Sequence, residues 1–260
     1  MINYLAAHYT DKGSVKKVNQ DAMLLMEAET EKGPLLFAVV ADGMGGLSYG
    51  EKASARMVQS FREWFAEKLP VILREEKDLE QQIKLSVQIV LKKVNEDLNL
   101  YGKMSGAACG TTVVTLMLFN GRWICTSVGD SRLYQLRNGV MQQITKDHTF
   151  IQREMDRGRM TREEAESSNM RNTLLQCIGA GGTFVPDYFT GDVNAQDVFF
   201  LCSDGMRHKM TNEEFTECFR PDLLKNEDIM RQKLEECTNR SLDMGEQDNI
   251  SGILVLAKEL

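Results

Sequence analysis

The stretch GTTVVTLMLFNGRWICTSVGDSRLYQLRNGVMQQIT, residues Gly110–Thr145, decides the fold class. Apolar, β-branched runs flank Asn120-Gly121 and again Asn138-Gly139. Asn-Gly between such runs is the strongest short hairpin signal, because both turn residues need positive φ. A hairpin makes its strands antiparallel, which argues against a purely parallel, doubly wound sheet.

Outward from this stretch the pattern continues. DAMLLM (Asp21–Met26), PLLFAVVA (Pro34–Ala41), DVFFLCS (Asp197–Ser203) and ISGILVLA (Ile250–Ala257) read as strands. Ala53, Met57, Phe61 and Phe65 recur at helical spacing, as do Ile83, Val87, Leu91 and Val94. They predict helices over Glu51–Leu69 and Asp78–Tyr101. Shorter helices are expected near Asn212–Phe219 and Glu227–Asn239. The chain therefore reads as antiparallel β-sheet covered by long helices, an α+β fold. With 4 prolines and no Gly/Ser tract, no linker divides it, and residues 1–260 are expected to form one domain.

Composition narrows the function. At 42% hydrophobic residues the chain can bury a core, and its net charge of -7 argues against a nucleic-acid partner. No apolar run approaches a membrane span, and the N-terminus lacks a signal-peptide layout, so a cytoplasmic protein is expected. The 6 cysteines form no C-x-x-C pair and read as reduced, mostly buried thiols. The 3 histidines form no zinc motif.

Chemistry concentrates after PLLFAVVA, in DGMGGLSYGE (Asp42–Glu51). A phosphate loop fails because Glu51-Lys52 stands where Lys-Ser/Thr is needed. Gly46-Leu-Ser48-Tyr-Gly50 matches a serine-nucleophile elbow, but DGMG interrupts the strand-to-elbow connection. Ser48 and Glu51 read better as a helix capping box. That leaves Asp42. The same grammar recurs at Asp204-Gly205 after VFFLCS, Asp130 after ICTSVG, Asp248-Asn249 before ISGILVLA, and Asp21 before DAMLLM. Carboxylates about 4 Å apart repel by roughly 4 kcal/mol at an effective dielectric near 20. If these strand ends converge, the cluster needs protons, solvent or cations. All-oxygen donors suit Mg2+ or Mn2+.

The ordered set KKVNQD (Lys16–Asp21), ADGMGG with GEKAS (Ala41–Ser54), GTTVV (Gly110–Val114), SVGDSRLY (Ser127–Tyr134), TKDHT (Thr145–Thr149), LLQCIG (Leu174–Gly179), LCSDGM (Leu201–Met206) and EQDNIS (Glu246–Ser251) resembles the metal-dependent protein phosphatases of type 2C in their bacterial form. The resemblance implies a four-layer α-β-β-α sandwich of two antiparallel sheets flanked by helices, with a flap subdomain near residues 150–186. It implies a monomer acting on phosphoserine or phosphothreonine in proteins, reversing a serine/threonine kinase, through direct attack of a metal-bridging hydroxide. Carried over by position, Asp42 bridges two Mn2+ or Mg2+ ions, the Gly43 carbonyl ligates one, and Asp204 and Asp248 bind the other. Asp21 adjoins them, with Gln20 and Asn249 behind, and Asp130 with Asp204 holds a third, weaker ion. Lys16 stands where the family carries the phosphate-gripping arginine. The chain also departs from the family at Leu47, where a histidine is common, and at SNMRN (Ser168–Asn172). Met44 stands, as in many bacterial members, where eukaryotic members carry a histidine proposed as general acid, so the general acid is left open, with His148 a weaker candidate. A catalytically weak phosphoprotein-binding regulator on the same fold is the alternative.

Overall fold

The computed structural model describes residues 2–44, 49–74 and 78–259. In chain order it begins with β1 (Ile2–Asp11), β2 (Asp21–Thr30), β3 (Gly33–Asp42), α1 (Gly50–Glu67), α2 (Leu69–Arg74) and α3 (Leu79–Ser105). The hairpin region holds β4 (Gly110–Thr111), β5 (Val113–Phe119), β6 (Arg122–Val128), β7 (Arg132–Arg137) and β8 (Val140–Gln143). There follow α4 (Phe150–Asp156), α5 (Arg162–Ser167), β9 (Ile178–Gly179), β10 (Asp187–Asp192) and β11 (Val198–Cys202). The chain closes with α6 (Asp204–Arg207), α7 (Asn212–Cys218), α8 (Glu227–Asp243) and β12 (Ile250–Glu259).

The strands form two five-stranded antiparallel sheets, ordered β1-β12-β11-β7-β8 and β10-β6-β5-β3-β2, and a small β4-β9 ladder. Both Asn-Gly turns adopt the expected geometry, with φ of 50° and 72° at Asn120-Gly121 and 51° and 76° at Asn138-Gly139. This positive-φ turn matches the right-handed twist of the strands it joins.

The sheets stack face to face, and helices cover their outer faces. Leu36, Ala38 and Val40 of β3 meet Phe199, Leu201, Ile253 and Val255 of the other sheet. The alternate residues Leu35, Phe37 and Val39 pack under α1 and α3, against Phe61, Trp64 and Leu91. On the far side Phe200, Leu254 and Leu256 pack with Phe215 of α7 and Leu234 of α8. Both faces of the central strands are thus buried. That is why PLLFAVVA and VFFLC are continuous apolar runs instead of alternating ones.

Three local expectations change. The first long helix ends at Glu67, and α2 starts at Leu69; Pro70 lacks an N–H and its ring would clash with the carbonyl four residues earlier. The second runs further than expected, to Ser105, where Gly106 at φ 70° ends it with a left-handed cap. Ser48 of the expected capping box lies outside the described residues, and Tyr49 occupies the cap position of α1 with no side-chain cap bond. All 6 cysteines are free thiols. Among the described residues, no helix is long and apolar enough to cross a membrane.

Candidate active site

The strand ends carrying aspartates meet at one edge of the two-sheet seam. Asp21 opens β2 opposite Asp42, which closes β3. Asp204 follows β11, Asp248 precedes β12, and Asp130 lies between β6 and β7. The Ser203 hydroxyl donates across the seam to Asp21 Oδ2 (2.8 Å) and accepts from the Ser251 N–H (3.1 Å).

Backbone groups and neutral side chains hold these loops. The Gln20 N–H donates to Asn249 Oδ1 (2.8 Å), and Asn249 Nδ2 donates to the carbonyls of Lys12 (2.8 Å) and Val18 (3.2 Å). The Gln20 carbonyl accepts from the Gly43 N–H (3.1 Å) and the Ser54 hydroxyl (2.5 Å). Around Asp42, the Thr112 hydroxyl accepts from its N–H (3.2 Å), and the Thr111 hydroxyl donates to its carbonyl (2.9 Å).

Gly43 and Gly205 serve close packing of chain against chain. A Cβ on Gly43 would stand 2.6 Å from the Gln20 carbonyl oxygen, and one on Gly205 would press on the Asn249 carbonyl and lie 3.4 Å from Asp248 Cβ.

The electrostatics are those of crowded like charges. Burial raises Asp21 to about 7, with Asp204 and Asp248 adding to it against hydrogen bonds from Ser251 and Ser203. Burial and then Asp21, Asp204, Asp130 and Asp248 raise Asp42 well above the usual carboxylate range. Burial and Asp204 raise Asp130 to about 7 against the pull of Arg207. Asp21 Oδ1 is buried with no hydrogen-bond partner among the described residues.

Lys16 enters this site. Its Nζ lies 2.8 Å from Asp248 Oδ1, whereas Lys17 is exposed. Burial opposes the Lys16 charge, but the bond to Asp248 and the charges of Asp42 and Asp204 reverse that and raise its pKa. Both lysine and aspartate border a cavity of about 970 Å³, which also touches Asp130, Arg171, Arg207 and Lys209. His148 does not border it. Its Nδ1 accepts from the Gly129 N–H (3.1 Å) and its Nε2 lies 3.1 Å from Asp187 Oδ2, so it braces the loop before Asp130.

Some neighbours escaped sequence reasoning. His208 lies 3.4 Å from Asp204 Oδ2 and 3.3 Å from Glu246 Oε2. Burial opposes its charge, yet these carboxylates raise its pKa. Glu246, despite burial, is lowered to about 2 by His208 and by the N–H groups of Asp248 and Gln247. The i,i+4 spacing of Asp204 and His208 was the available signal; Glu246 had none. Arg207 reaches Asp130, as described below.

Known proteins share this sequence pattern and fold. The protein phosphatase 2C family model matches residues 10–239. The serine/threonine phosphatase Stp of Listeria innocua is 30% identical over 248 residues, covering 95% of this chain and 93% of its own. The solved serine/threonine phosphatase of S. agalactiae superposes with a TM-score of 0.83 at 25% identity, covering 99% of this chain and 100% of that one. The catalytic domain of the phosphatase PstP, solved with 2 manganese ions, superposes with a TM-score of 0.78 at 25% identity, with 100% of both chains covered. The ordered motifs, the paired sheets and these relatives converge on one conclusion: the chain belongs to the protein phosphatase 2C family of metal-dependent phosphatases, as a bacterial-type protein-serine/threonine phosphatase.

Proposed function

We propose that the cleft hydrolyses phosphoserine and phosphothreonine in proteins modified by a serine/threonine kinase, with two Mn2+ or Mg2+ ions held by Asp42, the Gly43 carbonyl, Asp204 and Asp248, and with Asp21 against them. One observation carries the reading: buried strand-end carboxylates raise one another's pKa, and Asp21 Oδ1 has no partner. Such a group calls for protons or cations. Its donors are all oxygen, which suits hard divalent ions. The donor set therefore fits.

Bound there, the ions supply Lewis acidity to phosphoryl oxygens and lower the pKa of coordinated water. The chain's own residues do the positioning. Ser203 and Asn249 tie the two sheets together beneath the site. His208 and Glu246 orient Asp204 and the Asp248 loop. Lys16 offers the phosphate dianion a compact positive charge at the cavity wall. Residues 150–186 form the flap, from which Ile151, Met155 and Arg171 reach the cavity. The binding-only alternative is not favoured, since the aspartate set is complete and the relatives are phosphatases.

Hydrolysis of a phosphothreonine peptide is expected with Mn2+ and lost in chelator. Asp42→Asn and Asp204→Asn are expected to be inactive while folded by circular dichroism. Turnover in chelator by the wild type would overturn the metal reading.

Stability without metal has a pH sign. Asp21 rises to about 7 from an ordinary carboxylate value near 4. Between these values the folded metal-free protein keeps a proton that the unfolded chain has lost, so stability falls as pH rises. The raised His208 acts in the same direction. The melting temperature in chelator is expected to fall from pH 5 to pH 8, and the gain from added Mn2+ to grow over that range. Asp42→Asn flattens the metal-free slope. A metal-free melting temperature that climbs over that range contradicts the assignment.

Lys16→Ala loses a charge-assisted contact of roughly 1.5–3 kcal/mol, so kcat/KM is expected to fall about ten- to a hundredfold, while Lys17→Ala changes little. Steady-state kinetics at saturating Mn2+ decide this. Equal kinetics for Lys16→Ala and wild type would assign the phosphate to another cation.

A further inference from the structure

Arg207, the last residue of α6, is almost fully buried beside the acidic cleft. Its Nη2 donates to the Asp130 carbonyl (3.1 Å) and to Asp130 Oδ2 (3.2 Å), and lies 3.5 Å from Asp147 Oδ2. Asp147 is already matched: Arg132 grips both its oxygens, Nε to Oδ1 at 2.8 Å and Nη2 to Oδ2 at 2.6 Å. Arg132 also donates through Nη1 to the Tyr134 hydroxyl (2.8 Å). The corner therefore sets two guanidinium groups, Arg132 and Arg207, against two carboxyl groups, Asp130 and Asp147, without any ion.

The resemblance to the family places a third, weaker ion between Asp130 and Asp204. The donors do not fit it here. A divalent ion at Asp130 would stand against a guanidinium that already holds Oδ2 and the carbonyl of that residue, with Arg132 close behind. Arg207 is also not held as a well-satisfied structural ion pair. Its Nε is buried and has no hydrogen-bond partner among the described residues. Leaving a buried donor unmet is unfavourable, and it is tolerated here where the alternative is an uncompensated buried carboxylate.

We propose that Arg207 is a built-in cation that takes the third ion's place: the guanidinium neutralises Asp130, and the protein binds metal only at the Asp42–Asp204–Asp248 centre. The inference rests on the two-ion reading above for the total count, but not for the difference between variants. Because Asp130 and Arg207 both border the substrate cavity, the positive charge there is covalently supplied and independent of Mn2+ concentration. Arg207 acts through Asp130 and is a positioning residue.

The test counts ions. Mn2+ is titrated into metal-free protein by isothermal calorimetry, with free Mn2+ followed by electron paramagnetic resonance. The wild type and Asp130→Ala are expected to bind the same number of ions, with no weaker site in the wild type up to millimolar Mn2+. Arg207→Ala is expected to gain one weaker site, which Arg207→Ala combined with Asp130→Ala loses again. Arg207→Lys, which keeps the charge and places less demand on the fold, is expected to match the wild type. A weak site in the wild type that Asp130→Ala removes would overturn the proposal, and that comparison needs no folded Arg207→Ala. Failure of the two-ion reading looks different: the wild type then binds fewer than two ions, while the gain or absence of a site in Arg207→Ala still decides the role of Arg207.

Discussion

The candidate site depends on one constraint: apolar stacking of the two sheets forces buried carboxylates together at their seam, where they repel one another. Asp21 and Asp42 are register partners at the ends of β2 and β3, and Asp204 and Asp248 approach them from the opposite sheet. Hydrophobic stacking of the sheets brings these strand ends together. It supplies the large favourable term of folding that lets a locally unfavourable charge cluster persist. The apolar seam thereby imposes an electrostatic deficit, which the proposed metal centre would relieve.

The surroundings divide that deficit between separate compensations. Ser203, Ser251 and Asn249 supply fixed dipoles to the Asp21 and Gln20 side of the seam. His208 and Glu246 form a charged pair beside Asp204 and the turn into Asp248. Lys16 holds Asp248, and Arg207 holds Asp130. Among the described residues Asp21 and Asp42 have no neighbouring cation, and burial and repulsion raise both; the same causes raise Asp130, there against the pull of Arg207. The field is thus concentrated at the position where phosphate chemistry needs positive charge to be brought in.

Much of the fold was legible because the physics is local. Asn120-Gly121 and Asn138-Gly139 specify hairpins through φ alone, and doubly buried strands such as PLLFAVVA announce themselves as unbroken apolar runs. β1 and β10 were not read as strands. β1 carries alanines and a histidine in place of bulky β-branched residues and draws its order from pairing along its whole length with β12. β10 is short, ends in Gly191-Asp192, and draws its order from β6. The strand-end aspartates were legible as a recurring pattern. Arg207 and Glu246 were not, because their partners lie far along the chain or across the seam, and only tertiary packing brings them into contact.

The most direct measurement of the central claim is an anomalous-difference map from crystals grown with Mn2+. The account predicts two strong peaks at the seam, one shared by Asp42 and the Gly43 carbonyl and one reached by Asp204 and Asp248, with no comparable peak at Asp130. Strong peaks away from the strand-end aspartates, or an empty seam in Mn2+-saturated crystals, would contradict it.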